Sequence, residues 1–124
     1  MGKKMLIMLT SGPDTPTRLE TPFNQAMTAI ALDSDEVTIL FTMEGTRLLK
    51  KGVAETIFSR EGGPSVYEAI QIAKECDVKM YVCPSSLEMH NIELEDCIPE
   101  LDGPMGAAGY ATMGMQDDVV VFCY

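Results

Sequence analysis

The chain has 124 residues, with 9 Lys and Arg against 19 Asp and Glu, for a formal net charge of −10. Hydrophobic residues make up 46% and charged residues 23%, a balance that excludes a disordered acidic tail and predicts one globular domain over residues 1–124. The acidity disfavours direct binding to nucleic acid or an anionic membrane, which are held by Lys and Arg neutralising phosphate, and suits a protein partner with a basic face.

Lys3 and Lys4 precede an apolar run of only five residues, Met5 to Leu9. That is too short for a signal-peptide core or a bilayer span, so the expectation is a cytoplasmic protein with reduced thiols. Lys4 to Thr10 (KMLIMLT) reads as a strand buried on both faces, closed by the turn residues Ser11, Gly12 and Pro13. Thr21 to Asp33 reads as a helix, with Pro22 in its first turn and Phe23, Met27, Ile30 and Ala31 at helical spacing. Val37 to Thr42 (VTILFT) is a second strand rich in β-branched residues, followed by a short helix from Glu44 to Lys51 that Gly52 stops. Val53 to Ser59 fits either a strand or an irregular connection. Pro64 opens the next helix, striped by Val66, Ile70 and Ala73, and Val78 to Val82 is a strand running into Cys83-Pro84. After the acidic stretch Glu93 to Asp102 come a Gly/Ala-rich helix, Pro104 to Met115, and a closing strand, Val119 to Phe122. Strands alternating with helices predict a parallel sheet covered on both faces, an α/β/α three-layer sandwich.

In such sheets chemistry gathers beyond the carboxyl ends of the strands. The candidate stretches are therefore Thr10 to Arg18, Thr42 to Gly45 and Cys83 to Ser86, and only the last holds a nucleophile. Pro84 suits the first position of a helix, which makes Cys83 its N-cap and turns the N–H groups of Ser85 and Ser86 toward the sulfur. Those are conditions that lower a thiol pKa; the competing reading is a small buried hydrophobe at a strand end. Cys97 lies among Glu93, Glu95, Asp96, Glu100 and Asp102, whose charge disfavours a thiolate, so it reads as a second or resolving thiol on a mobile loop, or as an incidental one. Cys76 and Cys123 read as packing residues. His90, the single histidine, falls about 10 Å along a continuous helix from Cys83 at about 1.5 Å per residue, so a Cys/His pair requires a break near Asn91. Gly12-Pro13-Asp14-Thr15-Pro16 lacks the Lys and Ser/Thr of a phosphate loop and reads as the rim of a pocket. A metal site from Cys83, His90 and Cys97 lacks close ligand pairs. The small residues of 103–114 suit close approach of a helix to a sheet or to a neighbouring subunit better than a dinucleotide.

Four segments in register, MLIMLTSGPDTPTRLETPFNQAMTAIA, VTILFTMEGTRLL, KMYVCPSS and GPMGAAGYATMGMQDDVVVF, resemble the DsrE/DsrF-like family over nearly the whole chain. The resemblance implies a five-stranded, mainly parallel sandwich, assembly into homo-trimers or homo-hexamers, and a sulfur-relay function. Cys83 matches the family's sulfur-accepting cysteine, and Cys97 matches less closely a downstream cysteine of some branches. Implied partners are small TusA-like sulfur-carrier proteins, in sulfur metabolism or tRNA thiolation, with no metal or organic cofactor required. The expected activity is a sulfurtransferase step through a Cys83 persulfide or thiosulfonate, with Ser85 and Ser86 stabilising the sulfur and Gly12, Pro13 and His90 at the rim. The alternative is a scaffolding or small-ligand-binding subunit of a homo-oligomer.

Overall fold

The computed structural model describes residues 3–124. Five parallel strands, β1 (Lys4–Leu9), β2 (Glu36–Phe41), β3 (Lys79–Val82), β4 (Gly103–Pro104) and β5 (Val119–Cys123), form one sheet in the order β4-β3-β2-β1-β5. Four α-helices accompany them: α1 (Glu20–Ala31), α2 (Val66–Glu75), α3 (Pro84–Met89) and α4 (Ala107–Gly114). The apolar runs become strands because both faces of the central ones are covered. Ile7, Leu9, Val37, Ile39, Phe41, Met80 and Val82 pack with Phe23 and Ala26 of α1, Ile70 and Ala73 of α2, and Leu87 of α3. The opposite face carries Leu6 and Leu40, both buried, and α4 lies over it: a Cβ added at Gly114 would touch Leu6 and Val121, which are paired across β1 and β5. None of the α4 side chains is itself buried, so this layer is thinner than the other.

Several boundaries shift by a residue or two from the sequence expectation, and others differ in kind. The segment after β2 is a 3-10 helix, Met43–Leu49. The undecided stretch from Val53 joins no sheet: it holds a 3-10 turn, Ala54–Thr56, and one isolated bridge between Phe58 and Ser65. Pro64 precedes α2, whose N-cap is Ser65, with a capping box closed by Glu68. The helix expected from Pro104 begins instead at Ala107, because Gly103 and Pro104 pair with Tyr81 and Val82 as β4. A two-residue Gly-Pro strand has no apolar pattern to reveal it. It is fixed from outside by Asp102, whose backbone N–H donates to Met80 C=O (2.8 Å) while its Oδ2 accepts from Met80 N–H (2.8 Å) and its Oδ1 from Lys74.

Helices α3 and α4, leaving the neighbouring strands β3 and β4, depart to opposite faces of the sheet. Cys83 stands at the carboxyl edge between them, while the strand order itself reverses between β1 and β5. The loops after β1 and β2 approach backbone to backbone beside it: a Cβ on Gly45 would fall 2.3 Å from Leu9 O, and one on Gly12 2.3 Å from Glu44 O. Only glycine permits that contact.

Gly45→Ala is accordingly expected to cost about 1–3 kcal/mol, as overpacking does, and to lower the urea midpoint; an unchanged midpoint would show that the two loops are not held this tightly. Asp102 supplies a pH signature. Burial pushes its carboxyl up, but the Lys74 ammonium and the Met80 N–H outweigh burial and hold it below the usual value. A depressed folded pKa gives stability that is complete above the unfolded value of about 3.9 and is lost as pH falls through the folded one. Asp102→Asn should therefore be less stable than wild type near neutrality, with the gap narrowing below pH ~4; a pH-independent gap in urea melts would contradict it.

Candidate functional site at the carboxyl edge of the sheet

Cys83 ends β3 without leaving the sheet: its N–H donates to Phe41 C=O at 3.0 Å. Its backbone is extended (φ −74°, ψ 120°), it N-caps α3, and Pro84 follows at the first helical position, as the Cys-Pro sequence predicts. The half-buried sulfur lies 3.2 Å from the exposed Ser85 hydroxyl. No backbone N–H makes a full capping bond to the sulfur, and those of Ser85 and Ser86 act on it as nearby dipoles. Burial pushes the Cys83 thiol up, yet the Ser85 hydroxyl and the Ser86 N–H and hydroxyl, followed by the Ser85 N–H, outweigh it and bring the thiol below its ordinary value. These leading donors are all uncharged.

The second turn of α3 does something the sequence did not indicate. Ser86 (2% exposed) and His90 lie four residues apart on one side of the helix. Ser86 Oγ accepts from Met43 N–H (2.9 Å), and His90 Nε2–H donates to Met43 C=O (2.9 Å). Both polar backbone groups of one residue are thus held by α3. Met43 needs such restraint, because its φ of +51° is left-handed, a conformation costing a non-glycine residue about 1–3 kcal/mol. Ser86 Oγ also lies 3.1 Å from the Thr42 hydroxyl, which is 5% exposed.

The expected site residues are therefore brought together unequally. Ser85 and Ser86 adjoin the sulfur. His90 reaches the same corner but engages Met43, with Glu44 Oε1 3.7 Å from its Nε2, and no hydrogen bond joins it to Cys83 among the described residues. The helix does break, since α3 ends at Met89 and Asn91 is left-handed (φ +55°), and the break turns the ring onto the β2 loop. Gly12 is buried against Glu44, with Pro13 half-buried in the turn beyond; Arg47 spans Asp14 (2.8 Å) and Glu44 (3.0 Å) and ties that turn to the 3-10 helix.

Cys97 differs most from its expectation. It is 6% exposed and packs in the core, its thiol donating to Glu93 C=O (3.7 Å). The acidic segment is pinned rather than free, because Cys97 bridges Lys50 and the Ile98 N–H donates to Leu49 C=O (2.8 Å). Burial, then the charge of Asp96, pushes this thiol up, partly opposed by Lys51. Cys123 is exposed at the end of β5, and all four cysteines are free thiols. Among the described residues no group of His, Cys, Asp and Glu is arranged to hold a metal ion, and no helix is long and apolar enough to cross a membrane.

Fold and edge geometry together define an all-parallel α/β domain that presents one hydrogen-bonded cysteine at the carboxyl edge of its sheet, after β3. The family model for the DsrE/DsrF-like family matches residues 3–122, and the chain belongs to that family. The same fold occurs in a protein of unknown function, MTH1491, from Methanobacterium thermoautotrophicum, with a TM-score of 0.75 at 10% identity over 98% of this chain and 99% of that one. It occurs also in the YchN protein of E. coli, with a TM-score of 0.71 at 16% identity over 98% and 99% of the two chains. No curated protein matches the chain.

Titrating alkylation of each cysteine against pH, with peptide-level mass spectrometry to separate the four, should place the Cys83 midpoint below the ordinary thiol value of about 8.5 and that of Cys97 above it. Equal midpoints, or Cys97 reacting first, would contradict the hydrogen-bonding account of the site.

Proposed function

We propose that the protein is a cysteine-based sulfur carrier of the DsrE/DsrF-like type, in which Cys83 accepts sulfane sulfur and passes it to a protein partner. The observation that carries the reading is the position of Cys83 at the carboxyl end of β3 and the start of α3, with uncharged donors from Ser85 and Ser86 lowering its thiol pKa. In the accepting step the Cys83 thiolate attacks the outer sulfur of a donor persulfide. A new S–S bond forms at Cys83, the donor's S–S bond breaks, and the donor cysteine leaves as thiolate with the bonding pair. Delivery is the same displacement with the partner's thiolate attacking the outer sulfur on Cys83, so no net oxidant is consumed. A thiosulfonate is the second donor class with the same electrophilic sulfur.

The proposed partner is a small TusA-like carrier with a basic face around its own cysteine, serving sulfur metabolism or tRNA thiolation. The net charge of −10 supports this, as does the balance of charge near the site: the guanidinium of Arg47 is already spanned by Asp14 and Glu44, while Glu88 of α3 is exposed. Homo-oligomerisation, as a trimer or hexamer, is supported by α4, none of whose residues is itself buried within the chain, and by Met115 after it at 85% exposure. Cys97, buried and with its thiol pushed up, is not the accepting group in this reading.

Incubation with a sulfane-sulfur donor, read by intact mass, should add sulfur to the wild type and to Cys97→Ser but not to Cys83→Ser. A wild type that gains no sulfur, or a Cys83→Ser variant that gains as much, would defeat the proposal.

A further inference from the structure

The two edges of the sheet are unequal. At one end β4 has two residues, and its Pro104 has no N–H to offer, so that edge is a poor template for another strand. At the other end β5 runs Val119-Val120-Val121-Phe122-Cys123 with no charge and no proline, and none of the five is buried. Its backbone groups alternate in direction. Asp118 C=O accepts from Lys4 N–H (2.8 Å), Tyr124 N–H donates to Met8 C=O (2.9 Å) and Tyr124 C=O accepts from Thr10 N–H (2.8 Å), so the even-numbered residues face β1 and Val119, Val121 and Cys123 turn their polar groups outward. Val119 N–H is taken by Gln116 C=O (3.2 Å), whereas Val121 and Cys123 have no backbone partner on that side among the described residues.

We propose that β5 joins two copies of the chain edge to edge, antiparallel, about a two-fold axis through Val121. A second copy is the occupant because the strand is complementary to itself: the same five residues supply donors, acceptors and apolar surface in a matching register. Val121 and the partner's Val121 exchange two N–H···O bonds, and each Cys123 N–H reaches the C=O of the partner's Val119. The Val119 N–H, already bonded to Gln116, is not called on, and of the outward groups only the Cys123 C=O is left to water. The side chains fit the same operation. On the face toward α1, Phe122 comes opposite the partner's Val120, beside an apolar groove of about 320 Å³ lined by Met5, Ala29 and Leu32, the last 69% exposed. On the other face Val121, 38% exposed, meets its counterpart. Asp118, which falls opposite the partner's Tyr124, has Lys4 at 3.9 Å, so the seam gathers no unpaired charge. The pairing goes beyond the trimer or hexamer proposed above by naming the strand that joins copies. It suits a dimer or a hexamer but not a lone trimer, and it is independent of sulfur chemistry at Cys83.

Native mass and residue-level amide exchange of the full chain test the pairing together. The wild type should contain an even number of copies, and the N–H groups of Val121 and Cys123 should exchange about as slowly as those of Val120 and Phe122, which face β1. Val121→Lys sets like charges opposite each other at the axis; it should halve the particle mass and free the amides of residues 121 and 123 while β5 stays paired to β1. Should the lysine variant fail to fold, Val121→Pro, at an outward N–H where an edge strand tolerates proline, is read by mass and by the Cys123 amide. A monomeric wild type, a lone trimer, or an even-numbered assembly whose Val121 and Cys123 amides exchange freely would overturn the proposal, as would an unchanged mass in the folded variant.

Discussion

The grip of α3 on Met43 is the constraint on which the carboxyl edge depends. Ser86 and His90, one helical turn apart, take the N–H and the C=O of a single left-handed residue at the end of β2. That fixes α3 to the β2 loop, and the β2 loop is in turn fixed to β1 through Gly12 against Glu44 and Gly45 against Leu9. The three loops beyond β1, β2 and β3 are therefore one rigid assembly with Cys83 at its corner. A six-residue helix has little stability of its own, and α3 persists because these tertiary bonds hold it. A sulfur in such a place keeps its geometry whether or not a partner is docked.

The donors that favour the thiolate most are neutral, and this bears on relay chemistry. A lysine or histidine cation beside the sulfur would lower the pKa further, but nucleophilicity falls as the pKa falls, and the best attacking thiol titrates near ambient pH. A carrier cysteine must serve as nucleophile when it accepts sulfur and as leaving group when it gives sulfur up. Hydroxyl and amide dipoles lower the Cys83 pKa without a neighbouring cation, and they are screened by salt less than exposed charges are. In the proposed relay, the net charge of −10 would act at longer range, on encounter with a basic partner, and leave the thiol's own chemistry to its hydrogen bonds.

Much of the fold was legible because its central strands are continuous apolar runs and its helices carry apolar stripes; Val66, Ile70 and Ala73, read as one face, are all buried. Cys83 as N-cap was legible for a related reason, since Pro after Cys marks a helix start locally. The parts that were hidden are those fixed at long range. β4 is a Gly-Pro pair held by Asp102 and β3, and Cys97 sits in an acidic sequence whose neighbours Leu94 and Asp96 stay exposed while Ile92 and Ile98 anchor it in the core. No periodicity over two residues announces a strand, and no local charge count reveals that a thiol points inward.

The contact of His90 with Met43 was hidden for a different reason. The sequence places Thr42 to Gly45 correctly at a strand end and identifies His90 as the single imidazole, and from there a Cys/His pair is the economical guess. What separates guess from structure is one backbone dihedral. With Met43 right-handed, the carbonyl that occupies His90 would point elsewhere. Methionine has no intrinsic preference for the left-handed region, so nothing in the residue itself signals the turn. The conformation is enforced by α3, forty residues onward, and its cost is repaid by two hydrogen bonds, each worth about 0.5–1.5 kcal/mol. A left-handed non-glycine residue so restrained is strain held in place by Ser86 and His90, on the helix that Cys83 caps.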